Sequence, residues 1–242
     1  MRITRLIAGT VTAGLLGLTP IAIAAPSQAT ENLGSTTTLE FPFLEPGEPA
    51  TYGDTVTIRG AVTGTDGSSS YDGTVTLYQI TAANPAGVAV ATVPASGYLA
   101  FPEIKATENA AFKAVYSGYA ATSTYEDNYA ASESVVVALP VQRKVSIDNA
   151  KARMTIKGKV APKYKKKKVK VQIKKGKKYK KFKTIKTNKQ SKFQVRLPAP
   201  RRGNKLYFKI TVPGNSQFVA YSEVWYTYSY RSTITPRVAA QG

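Results

Sequence analysis

Residues 153–162 read RMTIKGKVAP, and residues 55–64 read TVTIRGAVTG. Each stretch alternates apolar and polar side chains, the period of a strand with one buried face. Their centres match position by position: Thr57, Ile58, Arg59, Gly60, Ala61 and Val62 stand against Thr155, Ile156, Lys157, Gly158, Lys159 and Val160. Three further pairs follow. TVTLYQI (74–80) answers KVKVQIK (168–174), FKAVYSG (112–118) answers FKITVPG (208–214), and ASESVVV (131–137) answers YSEVWYT (221–227). The four pairs keep the same order at offsets of 98, 94, 96 and 90 residues. One module of about a hundred residues is therefore written twice.

Between the matched stretches lie short alternating runs punctuated by Gly, Pro, Asn and Ser, with no sustained helical period. That spacing predicts an all-β chain in which each copy is an antiparallel β-sandwich. Inward positions in both copies are Val, Ile, Leu, Phe and Tyr, the side chains that two facing sheets need in order to pack. The chain has no cysteine, and a sandwich of this size buries enough apolar surface to fold without disulfides.

The N-terminus, MRITRLIAGTVTAGLLGLTPIAIAAPSQAT, places Arg2 and Arg5 before an apolar run from Leu6 to Ala25. Two small-residue cleavage patterns follow, Ala22-Ile23-Ala24 and Ser27-Gln28-Ala29. This is the arrangement of a secretory signal. The alternative, a membrane anchor, is disfavoured by Gly14, Gly17 and Pro20 within the run and by the lack of a basic stop-transfer flank. The expected organisation is a signal peptide over 1–29, an acidic sandwich over 36–140, a lysine-rich sandwich over 141–230 and a flexible tail over 231–242. Residues 31–34 are likewise expected to lack fixed structure. No transmembrane segment is expected in the mature chain, and without cysteine it cannot be lipid-anchored through one.

Both copies resemble the bacterial immunoglobulin-like domains repeated in secreted and surface proteins of actinobacteria. The second copy carries the resemblance in VKVQIKKGKKYKKFKTIKT, the turn NKQSK, the strand FQVRL and then LYFKITVPGNSQFVAYSEVW. It departs from the family pattern at Tyr179, where tryptophan is frequent, and at Ser191, near which glycine is usual. The resemblance covers residues 36 to about 230 and implies two tandem immunoglobulin-like sandwiches serving as spacer, adhesive or accessory modules. It implies no particular ligand.

Charge divides the two copies. Residues 31–140 hold 3 Lys/Arg against 12 Asp/Glu, whereas residues 141–242 hold 29 against 2. Residues 163–192 alone contain 16 lysines. In KVKVQIK, Val169, Val171 and Ile173 share one face while Lys168, Lys170, Gln172 and Lys174 share the other. Gly176 marks a hairpin turn, and the returning strand offers Tyr179, Phe182 and Ile185 as inward contacts. A disordered basic tail has no such rhythm. The stretch reads as a folded hairpin with a lysine outer face.

Lysines on strands blunt edge-to-edge pairing, but like charge at this density repels itself and attracts polyanions. The candidate polyanion-binding residues are Lys163, Lys165, Lys166, Lys167, Lys168, Lys170, Lys174, Lys175, Lys177, Lys178, Lys180 and Lys181, with Arg201 and Arg202 on the flank. Lysine is a flexible point charge, whereas planar bidentate recognition favours arginine. The expected partner is therefore an anionic cell-surface polymer (teichoic acid, capsule or glycosaminoglycan) held in a salt-sensitive way. Sequence-specific nucleic-acid reading is not expected. The acidic copy is also available as an intramolecular partner for the basic one. The competing reading is a passive spacer with no specific ligand.

Other chemistries find little support. There is no histidine and no cysteine, which removes the commonest general base, thiol catalysis and zinc–thiolate sites. An enzyme, a cofactor and a metal are not expected. Asp66, Asp72, Glu126 and Asp127 lie in loops whose spacing does not match a calcium-binding EF-hand. In SEVWYTYSY, Tyr226, Tyr228 and Tyr230 share one face and Trp225 the other. An exposed aromatic row could stack on sugar rings, although one face must be core. Lys113, in a strand, is the candidate for a lysine–asparagine cross-link of the kind some surface immunoglobulin-like domains form.

Overall fold

The computed structural model describes residues 30–45, 47–70, 72–150, 154–200 and 205–228. The expected signal peptide, Arg201, Arg202, Tyr230 and the expected tail lie outside these. All regular structure among the described residues is β, and no helix there is long and apolar enough to cross a membrane.

The first sandwich is built from β1 (Ser35–Glu40), β2 (Arg59–Gly64), β3 (Thr74–Thr81), β4 (Val88–Pro94), β5 (Leu99–Ala100), β6 (Ala110–Tyr116), β7 (Ser132–Glu133) and β8 (Val137–Leu139). One sheet runs β1-β2-β5. The other runs β7-β6-β3-β4, with β8 also pairing β6. The second sandwich comprises β9 (Lys144–Asn149), β10 (Thr155–Ala161), β11 (Lys168–Lys175), β12 (Lys178–Lys186), β13 (Lys192–Arg196), β14 (Lys205–Val212) and β15 (Tyr221–Tyr228). Its sheets run β9-β10-β13 and β12-β11-β14-β15, every pair antiparallel. A three-stranded sheet faces a larger one each time, of five strands in the first sandwich and four in the second, with β7 and β8 together taking the place of β15. The four matched stretches of sequence fall on equivalent strands: β2 with β10, β3 with β11, β6 with β14, and β7 leading into β8 with β15.

Alternation on these strands fills two cores. In the first, Ile58, Val62, Val75, Leu77, Phe112 and Tyr116 are fully buried. In the second, Val169, Val171 and Ile210 stand with Val160, Phe193 and Phe208. Each such side chain contributes about 1.5–3 kcal/mol on leaving water, so both sandwiches are held without disulfides. The buried Tyr116 hydroxyl is satisfied: it donates to the Asp72 carbonyl at 2.8 Å and lies 2.9 Å from Ser70 Oγ.

Residues 31–34 differ from expectation. Asn32–Leu33 pairs in parallel with Asn128–Tyr129. Glu31 N donates to Asp127 Oδ1 at 2.9 Å, and Asn128 N donates to Glu31 O at 2.8 Å. The segment is bonded, chiefly through its own backbone and also through Asn32 Oδ1, to a loop nearly a hundred residues away.

The sandwiches meet at Val141–Gln142, which pairs with Ala50–Thr51 of the first and bridges to Val219 of the second. Asn109 is the hub. Its N–H donates to Gln217 O at 2.7 Å, its Nδ2 to Ser216 O at 3.1 Å, and its Oδ1 accepts from Val141 N at 2.8 Å. Phe218 leaves the second sandwich and packs into the first core, edge-on to Tyr52 at 6.1 Å. Among the described residues no ion pair joins the two sandwiches.

Candidate polyanion interface

The lysine-rich segment lies on two structures, a loop and a hairpin. Lys163, Lys165, Lys166 and Lys167 occupy the loop between β10 and β11. Buried polar anchors hold that loop: Tyr164 N donates to Ser191 Oγ at 2.8 Å and Tyr164 Oη to Lys168 O at 2.9 Å. Thr187 Oγ1 donates to Tyr164 O and accepts from Lys167 N at 3.2 Å. Its backbone is thus fixed while its lysines face water. Tyr164 is only 4% exposed, so its ring is unavailable for stacking on a ligand.

Lys168, Lys170 and Lys174 alternate with buried Val169, Val171 and Ile173 along β11, as the pattern predicts. Lys175 and Lys178 face each other across the turn of Gly176 and Lys177, with Gly176 at φ +62°. Lys180 and Lys181 lie on β12, an edge strand. All twelve predicted lysines are exposed, and Arg201 and Arg202 fall outside the described residues.

The face of β12 departs from expectation. Val171 stands opposite Lys183 and Gln172 opposite Lys181, so Phe182 is the extra residue of a β-bulge. A bulge reverses alternation beyond it. Phe182 is consequently 39% exposed, and Tyr179 stands opposite Lys174 on the outer face, beneath Lys209 Nζ at 5.1 Å. Ile185 alone of the three expected contacts packs against the core. Lys180 and Lys183 stand opposite the inward residues Ile173 and Val171 yet are exposed, so the hairpin carries lysine on both faces.

The outer face of the four-stranded sheet also carries aromatics. Tyr207 and Tyr226 are paired across β14 and β15, with ring centroids 6.0 Å apart and exposures of 37% and 55%. Lys174 Nζ sits 5.2 Å from the Tyr207 centroid and Lys205 Nζ 4.5 Å from that of Tyr226. Trp225 points the other way, against the core. The sequence reading put Tyr226 and Trp225 on opposite faces without assigning the outer one, and missed Tyr207, although the inward set Phe208, Ile210 and Val212 on the same strand already sends Tyr207 outward.

Carboxylates are scarce around this surface. Tyr221 Oη donates to Glu223, and burial followed by that bond raises the phenol's pKa. Among the described residues the sole ion pair is Lys113 Nζ–Glu133 Oε2 at 2.8 Å, in the first sandwich. The candidate cross-linking lysine is thus engaged by a carboxylate on the neighbouring strand. The loop acids serve as braces: Asp66 accepts from Ser68 N and Oγ at 3.0 and 2.7 Å, which lowers its pKa. Glu126 accepts from the Tyr119 hydroxyl at 2.7 Å and from Thr122 N and Oγ1 at 2.8 and 2.9 Å, which holds it at about 2.

The fold defines this as an all-β protein of tandem immunoglobulin-like sandwiches. No protein-family model matches the chain, and no curated protein matches it. Among solved structures it is similar to the tetra-tandem repeat in the extending region of a large adhesion protein (11% identity, 81% of this chain, 49% of that one, TM-score 0.30). It is also similar to the two-domain fibronectin type III segment of chicken tenascin (11% identity, 81% of this chain, 100% of that one, TM-score 0.40). A third is the chicken interferon gamma receptor alpha chain (11% identity, 83% of this chain, 98% of that one, TM-score 0.40). The chain spans about half the length of the adhesion-protein structure. Likenesses at these identities do not reach function.

Proposed function

We propose that this is an exported, non-enzymatic binding module whose second sandwich attaches electrostatically to anionic polymer at the cell surface or matrix, wall teichoic acid being the leading class. The observation that carries the reading is twelve exposed lysines on a fixed loop and hairpin, none with a carboxylate at ion-pair distance among the described residues. Uncompensated charge of one sign holds counterions, and a polyanion gains by releasing them. Lys165–Lys168 and the hairpin lysines act collectively, without selecting a sequence or a stereochemistry.

The test is retention of the intact chain on isolated cell walls across a salt series, before and after teichoic acid is stripped. Retention is expected to fall linearly in log–log coordinates and to vanish with the polymer. Replacing Lys174, Lys175, Lys177 and Lys178 by Gln is expected to lower the slope by about 0.7–0.9 for each lysine engaged. Unchanged retention in that variant would refute the reading. The Tyr207–Tyr226 pair favours a second contribution, stacking of sugar rings beside the lysines. It would appear as salt-insensitive retention lost in Tyr226→Ala.

A further inference from the structure

Arg143 follows the linker strand directly and is 4% exposed. Its guanidinium lies 4.1 Å from the centroid of Phe218 and 4.9 Å from that of Tyr164, stacked between the two sandwiches. Nε and Nη1 are buried with no hydrogen-bond partner. Aromatic stacking offsets part of the cost of burying a cation, but it leaves donor N–H groups unmet, and buried donors are nearly always satisfied. Burial accordingly lowers the arginine's pKa.

Arg143 is also among the residues that line a cavity of about 710 Å³ at the junction, with Lys159, Lys163, Lys165, Lys167 and Lys189 around it and no carboxylate in its lining. Five lysines and an arginine around one cavity repel one another. A compact anion with several acceptor oxygens is the ligand that would relieve that repulsion and engage the guanidinium through charge-assisted hydrogen bonds. We infer that this junction cavity is a discrete oxyanion site for a phosphate group, with Arg143 at its base and the loop lysines as its rim. It shares Lys163, Lys165 and Lys167 with the loop of the preceding section but nothing with the hairpin, and it is set apart by its buried arginine and an expected stoichiometry of one per chain.

The site is tested by titrating the intact ¹⁵N-labelled chain with inorganic phosphate at constant ionic strength while following the Arg143 Nε–H resonance. A saturable shift with one-to-one stoichiometry is expected, with inorganic sulfate competing and acetate failing to do so. The rim variant Lys163→Gln/Lys165→Gln/Lys189→Gln, which leaves Arg143 and its aromatic stack in place, is expected to weaken binding about tenfold or more. The hairpin variant Lys174→Gln/Lys178→Gln is expected to bind phosphate as the parent does, even if it loses retention on cell walls. A shift that stays linear, or a loss of response in the hairpin variant equal to that in the rim variant, would overturn the site. Equal competition by acetate would overturn its assignment to phosphate.

Discussion

At the scale of single residues, the glycine shared by the two copies answers two different constraints. A Cβ on Gly60 would stand 2.3 Å from the Thr38 carbonyl oxygen on β1, whereas one on Gly158 would meet the ring of Phe193 on β13 at 2.2 Å. Phe193 is itself buried, so it has little room to yield. Gly158→Ala is expected to cost about 1–3 kcal/mol, as overpacking of a filled core does, and denaturant unfolding of the variant measures it. Glu126 gives the second residue-scale prediction. Its carboxylate is held at about 2 against an ordinary 4.5, chiefly by the Tyr119 hydroxyl. A folded-state value below the unfolded one contributes stability above about pH 4.5, and that contribution is lost as pH falls toward 2. In Glu126→Gln the stability loss across that window should be shallower, and amide protection near residue 122 should fall at neutral pH. NMR titration and hydrogen exchange read the two effects.

At the scale of elements, legibility tracked how local the determining interaction is. The faces of β11, β13 and β14 were set by alternation, because a sheet neighbour on each side or a packed inner face enforces the pleat. The lysines of β11 could therefore be placed from sequence. Strand β12 could not be read the same way. An edge strand tolerates an extra residue, and the bulge at Phe182 turns Tyr179 outward without any signature in KYKKFKTIK. The hairpin's composition has a further consequence. Lys175 stands opposite Lys178 and Lys168 opposite Lys186, and like charges directly across a ladder destabilise it. Neutralising Lys174, Lys175, Lys177 and Lys178 with Gln should raise Tm at low salt by about 2–5 °C. The difference should shrink at about 1 M salt, where charges are screened within ~3 Å. Solubility should fall in the same variant, because those lysines also guard an edge strand. A salt-independent change in Tm would instead trace the effect to packing.

At the scale of the whole molecule, the junction was the part that the sequence concealed. Asn109 and Phe218 carry no pattern of their own in the sequence, and their partners in the other sandwich are more than a hundred residues away, beyond any local periodicity. The structure makes them the fastening between the sandwiches. Phe218 closes the end of the first core, and Asn109 uses backbone and side chain together to hold Val141, Ser216 and Gln217. Asn109→Ala removes both side-chain bonds and leaves Val141 N and Ser216 O without these partners, at a cost of about 1 kcal/mol for each. Neither core contains the Asn109 side chain, so both sandwiches should stay folded while their connection loosens. Backbone ¹⁵N relaxation is expected to report one common tumbling time for the parent chain and a shorter, separate time for the second sandwich in the variant. Asn109→Asp keeps the acceptor for Val141 N but loses the donor to Ser216 O, and should fall between the two. Identical relaxation in all three chains would assign the fastening to Phe218 and the linker strand alone.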